Sequence, residues 1–413
     1  MLDINIIREN PDLVREKISL KGADVSIVDN FLALDKKWRT LVAERDEKKS
    51  KQKTLGEEKK IEEAKKIKIE IQYLEEEERN INKKRQELLL KIPNLPDDNA
   101  LAGQSEKDNS VIKEVGEKPQ FDFEPKDHME LGVNLNLINT EIAAKVAGAR
   151  FGYLLNEAAL MEFGLITLAM KEAVKEGFTP VVPPVMAKSE IMREMGKGKF
   201  LEEGEAFYLP ADDLYLVGSA EHTIGPLHMG DILKEEVLPK RYIGFSTAFR
   251  REAGSYGKDT KGILRVHQFD KVEMFSFSDP KSSKEEHAFL LSMQERFISL
   301  LKLPYRVVEV CTGDMTFGDA RQFDVETWIP SQKTYRETNS CSNTTDYQAR
   351  GINARLKRKN GEIEFLHMLN ATGIAIGRIL IAIMENFQTK EGNIKVPEVL
   401  QPYVSKELIE NNR

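Results

Sequence analysis

Cysteine is almost missing from the chain: 413 residues carry two, Cys311 and Cys341. Neither a disulfide framework nor a four-thiolate zinc site can be assembled from them, so no zinc is expected. There is no run of about 20 apolar residues, and the opening MLDINIIREN has no basic segment leading into an apolar one; no membrane partner is expected and the cytoplasm is the default location. An excess of positive charge is also absent. The formal net charge of −7 argues against a protein that coats nucleic acid by bulk electrostatics, so any such contact should be regional. The remaining composition, 40% hydrophobic and 31% charged, suits a globular protein long enough for about two or three domains.

Proline is absent from residues 28 to 90, which are crowded with Lys and Glu and carry apolar residues at coiled-coil spacing. Phe31, Leu34, Trp38 and Leu41 alternate steps of three and four, continuing through Arg45, Lys48 and Gln52 to Leu55. In a second series Ile67, Ile71, Leu74, Ile81 and Leu88 keep the phase, with Glu78 and Arg85 between them. The spacing predicts two long helices folded back at a turn near Gly56, with a seam apolar at its base and polar toward its tip. At about 1.5 Å per residue each helix is roughly 40 Å long, too thin for a domain core, and should project into solvent. The segment Pro93 to Asn109 breaks the pattern as a linker would. Two domains are therefore expected, 1–110 with the arm and linker, and 111–413.

From about Asp127 the composition becomes that of a mixed α/β domain. Strand candidates at 241–250, 263–277, 305–311 and 322–329 without intervening helices favour an antiparallel sheet, so the fold class is α+β: a helical hairpin plus a domain built on an antiparallel β-sheet flanked by helices.

The stretch Thr247 to Phe277 reads as strand, Gly-containing loop, strand. Because side chains alternate, Arg250 and Glu252 should share one face, as should Arg265, His267, Phe269, Lys271 and Glu273 on the partner strand, with Leu264, Val266, Val272 and Met274 turned into a core. One surface then offers guanidinium groups for phosphates, an aromatic ring for a base and carboxylates for an ammonium or hydroxyl. Any one of these charges alone reads better as part of a solvated strand face; the combination does not. Downstream, NATGIAIGRILIAIMENFQ, Asn370 to Gln388, is a turn running into an apolar helix with Arg378 near its start. A cation there opposes the helix dipole by roughly 0.3 to 1 kcal/mol, which makes more sense with an anionic partner nearby. Between the two lies RETNSCS, where Glu337 and Ser340 offer oxygen to a hard cation such as magnesium.

FRREAGSYGKDTKGILRVHQFDKVE resembles motif 2 of class II aminoacyl-tRNA synthetases, in the form carried by seryl-tRNA synthetases. The resemblance implies that Arg250 contacts the α-phosphate and the serine carboxylate, Glu252 the adenine amino group, Arg265 the γ-phosphate and Phe269 the adenine face, with Arg251 and Val266 beside them in the ATP site. Glu273 would bind serine. The Asn370–Gln388 stretch resembles motif 3, with Gly373, Gly377 and Arg378 in register and Ala375 where the general pattern has glycine. By that resemblance Arg378 binds the ATP phosphates, making it with Arg250 the catalytic pair, while Asn370 and Thr372 line the serine pocket. The segment Glu337, Thr338, Asn339, Ser340 is similar to the family's ATP-binding segment, with Mg2+ brought by the nucleotide and held by Glu337 and Ser340. Ser219, Ala220 and Glu221 resemble the family's Thr-x-Glu amino-acid motif, with serine in place of threonine. Pro183 and Pro184 resemble motif 1, the dimer-forming element, but the loop after it, MREMGKGKF, is shorter than the family's.

The resemblance implies an ATP-dependent ligase that activates L-serine as the adenylate and transfers it to tRNA(Ser), with tRNA(Sec) an open second substrate, and that works as a homodimer. Arg45, Lys48, Lys49, Lys51, Lys53, Lys59 and Lys60, gathered toward the arm's tip, would hold the tRNA backbone. Serine's carboxylate is already ionised, so activation needs charge neutralisation and in-line placement rather than a general base; His267 is expected to be a hydrogen-bonded structural residue. A carrier-protein ligase of the same fold lacks the long arm. A coiled-coil interaction protein with a degenerate synthetase domain would not need Arg250, Glu252, Arg265, Phe269, Glu273 and Arg378 together.

Overall fold

A computed structural model describes residues 1–253 and 262–411. The chain divides into two units, Met1–Leu95 and Pro96–Arg413. In the second, eight strands form one sheet in the spatial order Ser110–Val115, Tyr305–Glu309, Arg321–Ile329, Thr334–Asn343, His367–Ala375, Gln268–Ser278, Lys240–Phe249, Thr179–Val181. Every neighbouring pair is antiparallel except the last, where Thr179–Val181 runs parallel to Lys240–Phe249. The helices Asn156–Lys175, Ser283–Leu300 and Ile376–Asn386 join the sheet in one core through residues such as Met161, Phe297 and Leu380. Helix Ile376–Asn386 is apolar apart from Arg378 near its start and Glu385 and Asn386 at its end, and it is buried nearly throughout. Phe297 is fully buried, a contribution of about 1.5–3 kcal/mol relative to exposure.

The second strand of the central hairpin is shorter than the alternation predicts. It begins at Gln268, not at 263, and residues 262–267 form a turn. Arg265 and His267 therefore reach their positions from a turn. Leu264 and Val266 are nonetheless buried, as are Val272 and Met274 on the strand. The first strand ends at Phe249, and Glu252 adopts a left-handed backbone with φ 51°, so strand alternation does not set its direction. The loop tip, Gly254 to Lys261, lies outside the described residues.

The first unit contains the two expected long helices, Ser26–Glu57 and Ile61–Leu89, reversed through Glu58–Lys60 with Lys59 at φ 59°. Its seam departs from what the sequence predicts in three places, the last in polarity alone. At the base Leu89, not Leu88, is fully buried, so the spacing from Ile81 through Arg85 runs in steps of four. The same region holds a carboxylate: Asp35, with no exposed side-chain surface, accepts from Arg8 Nε and NH2 at 2.8 Å, Arg85 NH1 at 2.7 Å and Arg39 Nε at 3.1 Å. The Arg85 guanidinium also lies 4.1 Å from the Trp38 ring centroid. At the tip, expected to be polar, Leu55, Ile67 and Ile71 close an apolar cluster around Ala64.

Burial alone would raise the carboxyl of Asp35, but Arg8 and Arg85 hold it below the usual carboxylate range. A depressed native pKa stabilises above the unfolded value and is lost as pH falls through the native one. Asp35→Ala should leave the arginines facing a void and destabilise the helical unit by about 3–5 kcal/mol. Hydrogen exchange of residues 1–95 in the full chain measures this; protection unchanged by the substitution would show that the cluster contributes nothing net.

Candidate active site

Two irregularities in the central sheet decide which side chains meet. Between Arg321–Ile329 and Thr334–Asn343 the register steps from Val325↔Asn339 to Glu326↔Glu337, leaving Thr338 as an extra residue. Cross-strand partners share a face, so Glu337 and Ser340 point the same way although three residues apart, beside Glu326 and Asp324. The second step falls between Val272↔Ile374 and Glu273↔Thr372, leaving Gly373 extra. There a Cβ would meet Val272 O at 3.2 Å, a close approach that suits glycine. Its effect is to bring Thr372 and Ala375 onto the face of Glu273 and Lys271. On the other flank the partners of Glu273, Lys271 and Phe269 are Gly244, Ser246 and Ala248.

A cavity of about 120 Å³ gathers nine of the residues singled out by motif: Arg250, Glu252, Arg265, Val266, Phe269, Glu337, Thr338, Thr372 and Arg378. The Arg250 guanidinium lies 5.5 Å from the Phe269 ring centroid and its Nε donates to Gly218 O at 3.2 Å. Arg265 NH1 stands 3.9 Å from Glu252 Oε2. Arg378 NH1 donates to Glu337 O at 2.8 Å and lies 3.2 Å from its Oε1. A second, more polar cavity opens beside Arg265, Glu337 and Arg378 and adds Asp324, Glu326 and Arg336. Arg378 holds the Glu337 carboxyl down, whereas burial and the facing Glu337 push Asp324 well above the usual carboxylate range. Two carboxyl groups forced together, with the Ser340 hydroxyl on the same face, form an oxygen donor set suited to a hard cation.

A second group lies around Glu221 and Glu273. Burial would raise Glu221, but Lys197, its Nζ 2.7 Å from Oε1, and Gln348 Nε2 at 2.8 Å hold it below the usual carboxylate range. Burial raises the Glu273 carboxyl against the opposing pull of Lys271. Lys271 Nζ is 2.6 Å from Glu273 Oε2, but burial outweighs its pull. Ser219 Oγ accepts from the Glu221 amide at 3.2 Å, Ala220 is buried against the sheet, and Asn370 pairs across the strands with Phe275 and Ser342.

Some expected residues do not enter the cavity. Arg251 turns to Ala206 O, 3.2 Å from its Nε, and to the Phe207 ring at 4.5 Å. The Asn339 side chain points into the sheet, donating to Thr372 O at 3.0 Å and Gly373 O at 2.8 Å. Thr338 lines the cavity, but its hydroxyl lies 2.8 Å from that of Thr327. His267 Nδ1 lies 3.0 Å from Arg250 O, the structural partner expected of it. Lys197, Lys271 and Gln348 were not singled out by motif. Lys271 could have been, since strand alternation places it between Phe269 and Glu273; Lys197 and Gln348 carry no local signal.

In the helical unit, four of the expected cations are paired: Arg45 with Glu78, Lys48 with Glu70 at 2.5 Å, Lys49 with Glu75 at 2.8 Å and Lys60 with Glu58 at 2.7 Å. Lys51, Lys53 and Lys59 are exposed.

Residues 1–96 match the family model described as the seryl-tRNA synthetase N-terminal domain, and 208–387 that of the tRNA synthetase class II core domain (G, H, P, S and T). The serine–tRNA ligase of Thermobifida fusca is 43% identical over 99% of both chains, and that of Dictyoglomus turgidum 41% over 98% of both. Among solved structures, seryl-tRNA synthetase from Pyrococcus horikoshii complexed with ATP superposes with TM-score 0.93 at 35% identity, covering 100% of each chain. A prolyl-tRNA synthetase from Giardia lamblia, at TM-score 0.57 and 14% identity over 66% of this chain and 54% of its own, shares the fold alone. With its helical unit and its motif-lined cavity matched over the full length, the chain belongs to the seryl-tRNA synthetase family.

Proposed function

We propose that the chain is a cytoplasmic serine–tRNA ligase that converts L-serine and ATP to seryl-adenylate and transfers the seryl group to tRNA(Ser), with tRNA(Sec) as a second candidate. The observation that carries this is the gathering of Arg250, Glu252, Arg265, Phe269, Glu337, Thr372 and Arg378 in one cavity between two bulges.

In the first step a serine carboxylate oxygen forms a bond to the α-phosphorus of ATP as the bond from that phosphorus to the bridging oxygen breaks, and pyrophosphate leaves. Phe269 and Glu252 hold adenine by stacking and hydrogen bonding. Arg250 neutralises the α-phosphate and the approaching carboxylate, while Arg265 and Arg378 hold the outer phosphates. A Mg2+ ion carried with ATP would be held by Glu337 and Ser340, where it supplies charge neutralisation to the triphosphate. The two pocket carboxyls differ in state: Glu221, kept ionised, suits the α-ammonium, and Glu273, pushed up, suits the hydroxyl together with Thr372. A pocket that hydrogen-bonds the hydroxyl rejects alanine and glycine better than an apolar pocket could. In the second step a terminal ribose hydroxyl of tRNA attacks the acyl carbon and AMP leaves; no base is assigned.

A homodimer is supported by apolar side chains at the motif 1 element. Leu160 is 46%, Phe163 66% and Val174 47% exposed on helix Asn156–Lys175, and Val182 after the following strand is 81% exposed.

Serine should promote exchange of pyrophosphate into ATP, and Arg250→Ala should lower it at least about a hundredfold without unfolding the protein. Absence of exchange with serine, or faster exchange with another amino acid, sinks the assignment. Replacing roughly residues 36–85 by a short turn should spare exchange and sharply weaken tRNA charging; undiminished charging would remove the arm from tRNA recognition. Neutralising Lys51, Lys53 and Lys59 should flatten the salt dependence of tRNA binding by about one unit of slope for each phosphate no longer neutralised, and an unchanged slope would place the tRNA backbone elsewhere on the protein. Sedimentation should show a dimer, and a fully active monomer would contradict the shared interface.

A further inference from the structure

The loop after the motif 1 strand, already distinctive in being short, carries a charge into the aminoacyl pocket. Lys197 sits between Gly196, at φ 76°, and Gly198. The backbone leading to it is seated on helix Tyr347–Ile352: Gln348 Nε2 donates to Met195 O at 3.3 Å, and a Cβ on Gly351 would meet Glu194 O at 1.8 Å. Gly196 is similarly close, its own Cβ position 3.0 Å from the Tyr347 ring. With its backbone held there, Lys197 extends to Glu221 Oε1 at 2.7 Å, its side chain 18% exposed and that of Glu221 8% exposed.

We propose that Lys197 is a positioning residue of the aminoacyl pocket, its ammonium clamping Glu221 as the acceptor for the α-ammonium of the incoming amino acid. The proposal rests on the assignment of this pocket to serine. Gln348, bound to the same oxygen, completes the clamp and ties it to the helix that seats the loop. Among the described residues the charges around Glu221 are few. His222, on the same short helix, is pushed down to about 3 by burial and is neutral at working pH. Lys271 pairs with Glu273, and Arg250 reaches over from the end of the neighbouring strand. Lys197 is the cation directly on Glu221. Without it a buried carboxyl would keep one neutral donor, Gln348, and burial would drive it toward its protonated form, which cannot accept from an ammonium group.

The sign follows from the depressed pKa of Glu221. Serine binding that needs the ionised carboxylate is present above that pKa and lost below it; removing Lys197 raises the pKa and moves the acidic limb to higher pH. In pyrophosphate exchange by the full-length protein, Lys197→Met should shift the acidic limb of kcat/KM for serine upward by about one to three pH units. At neutral pH it should raise KM for serine about tenfold or more, the scale of removing one charge-assisted hydrogen bond, with KM for ATP unchanged. Lys197→Arg should restore most of the profile. An unmoved acidic limb, an arginine variant no better than methionine, or a KM for serine that falls would overturn the proposal, the last by making Lys197 a competitor of the substrate. Exchange by the unaltered protein is the separate control: if serine does not support it, the assignment of the pocket fails before Lys197 is tested.

Discussion

A β-strand sends successive side chains to opposite faces, and this constraint governs the active-site sheet. A nucleotide site needs several polar groups crowded on one face, closer than strict alternation delivers. Two single-residue bulges resolve the conflict, at Thr338 and at Gly373. The first rotates Glu337 onto the face of Ser340 and Asp324; the second rotates Ala375, and with it the approach to Arg378, onto the face of Glu273 and Thr372. The residues displaced by these rotations are used structurally. Asn339, sent inward, ties the carbonyls of Thr372 and Gly373, so the side chain turned away by one bulge holds the backbone of the other.

The charges follow from the same geometry. Arg250, Arg265 and Arg378 surround one cavity, and Glu337 offsets Arg378. The carboxyls divide into two kinds. Lys197 and Arg378 hold Glu221 and Glu337 down; at Glu273 burial outweighs the neighbouring Lys271, and at Asp324 burial and the facing Glu337 both push upward. Side chains of one type thus divide by environment, two held down by a neighbouring cation and two pushed up by burial.

The antiparallel sheet, the helical hairpin and most of the cavity were legible in the sequence because they depend on periodicity and on residue types clustered in short segments. Phe269, Lys271 and Glu273 lie on one strand face as alternation requires. What was not legible depends on partners distant in the chain. Nothing near Thr338 marks it as a bulge, since the bulge is defined by the register against Val325 and Glu326. The late start of the strand at Gln268 has the same character: Arg265, Val266 and His267 suit a strand locally, but although the His267 carbonyl still accepts from the Arg250 amide, its own amide donates to Arg150 O and its ring Nδ1 lies 3.0 Å from Arg250 O. Lys197 meets Glu221 only after folding, across 24 residues, and no local pattern records the meeting.

The helical unit shows the opposite failure, in which a strong local pattern was overruled. Heptad spacing alone would put Leu88 in the seam and leave the base apolar. Asp35 occupies that position instead and draws in Arg8, Arg39 and Arg85, and a guanidinium reaching across from the second helix fixes where that helix must stand. With Arg85 committed to Asp35 and stacked on Trp38, the next inward position is one full turn on, at Leu89, and Leu88 is rotated outward. An apolar pair in place of Asp35 and Arg85 would tolerate several registers at similar energy; a buried carboxylate that must be met by arginines tolerates one. The arm therefore has its register set by an ionic cluster at one end and by Leu55, Ile67 and Ile71 at the other, and the polar stretch between them, with Arg45, Lys48 and Lys49 each held by a glutamate across the seam, inherits its alignment from both.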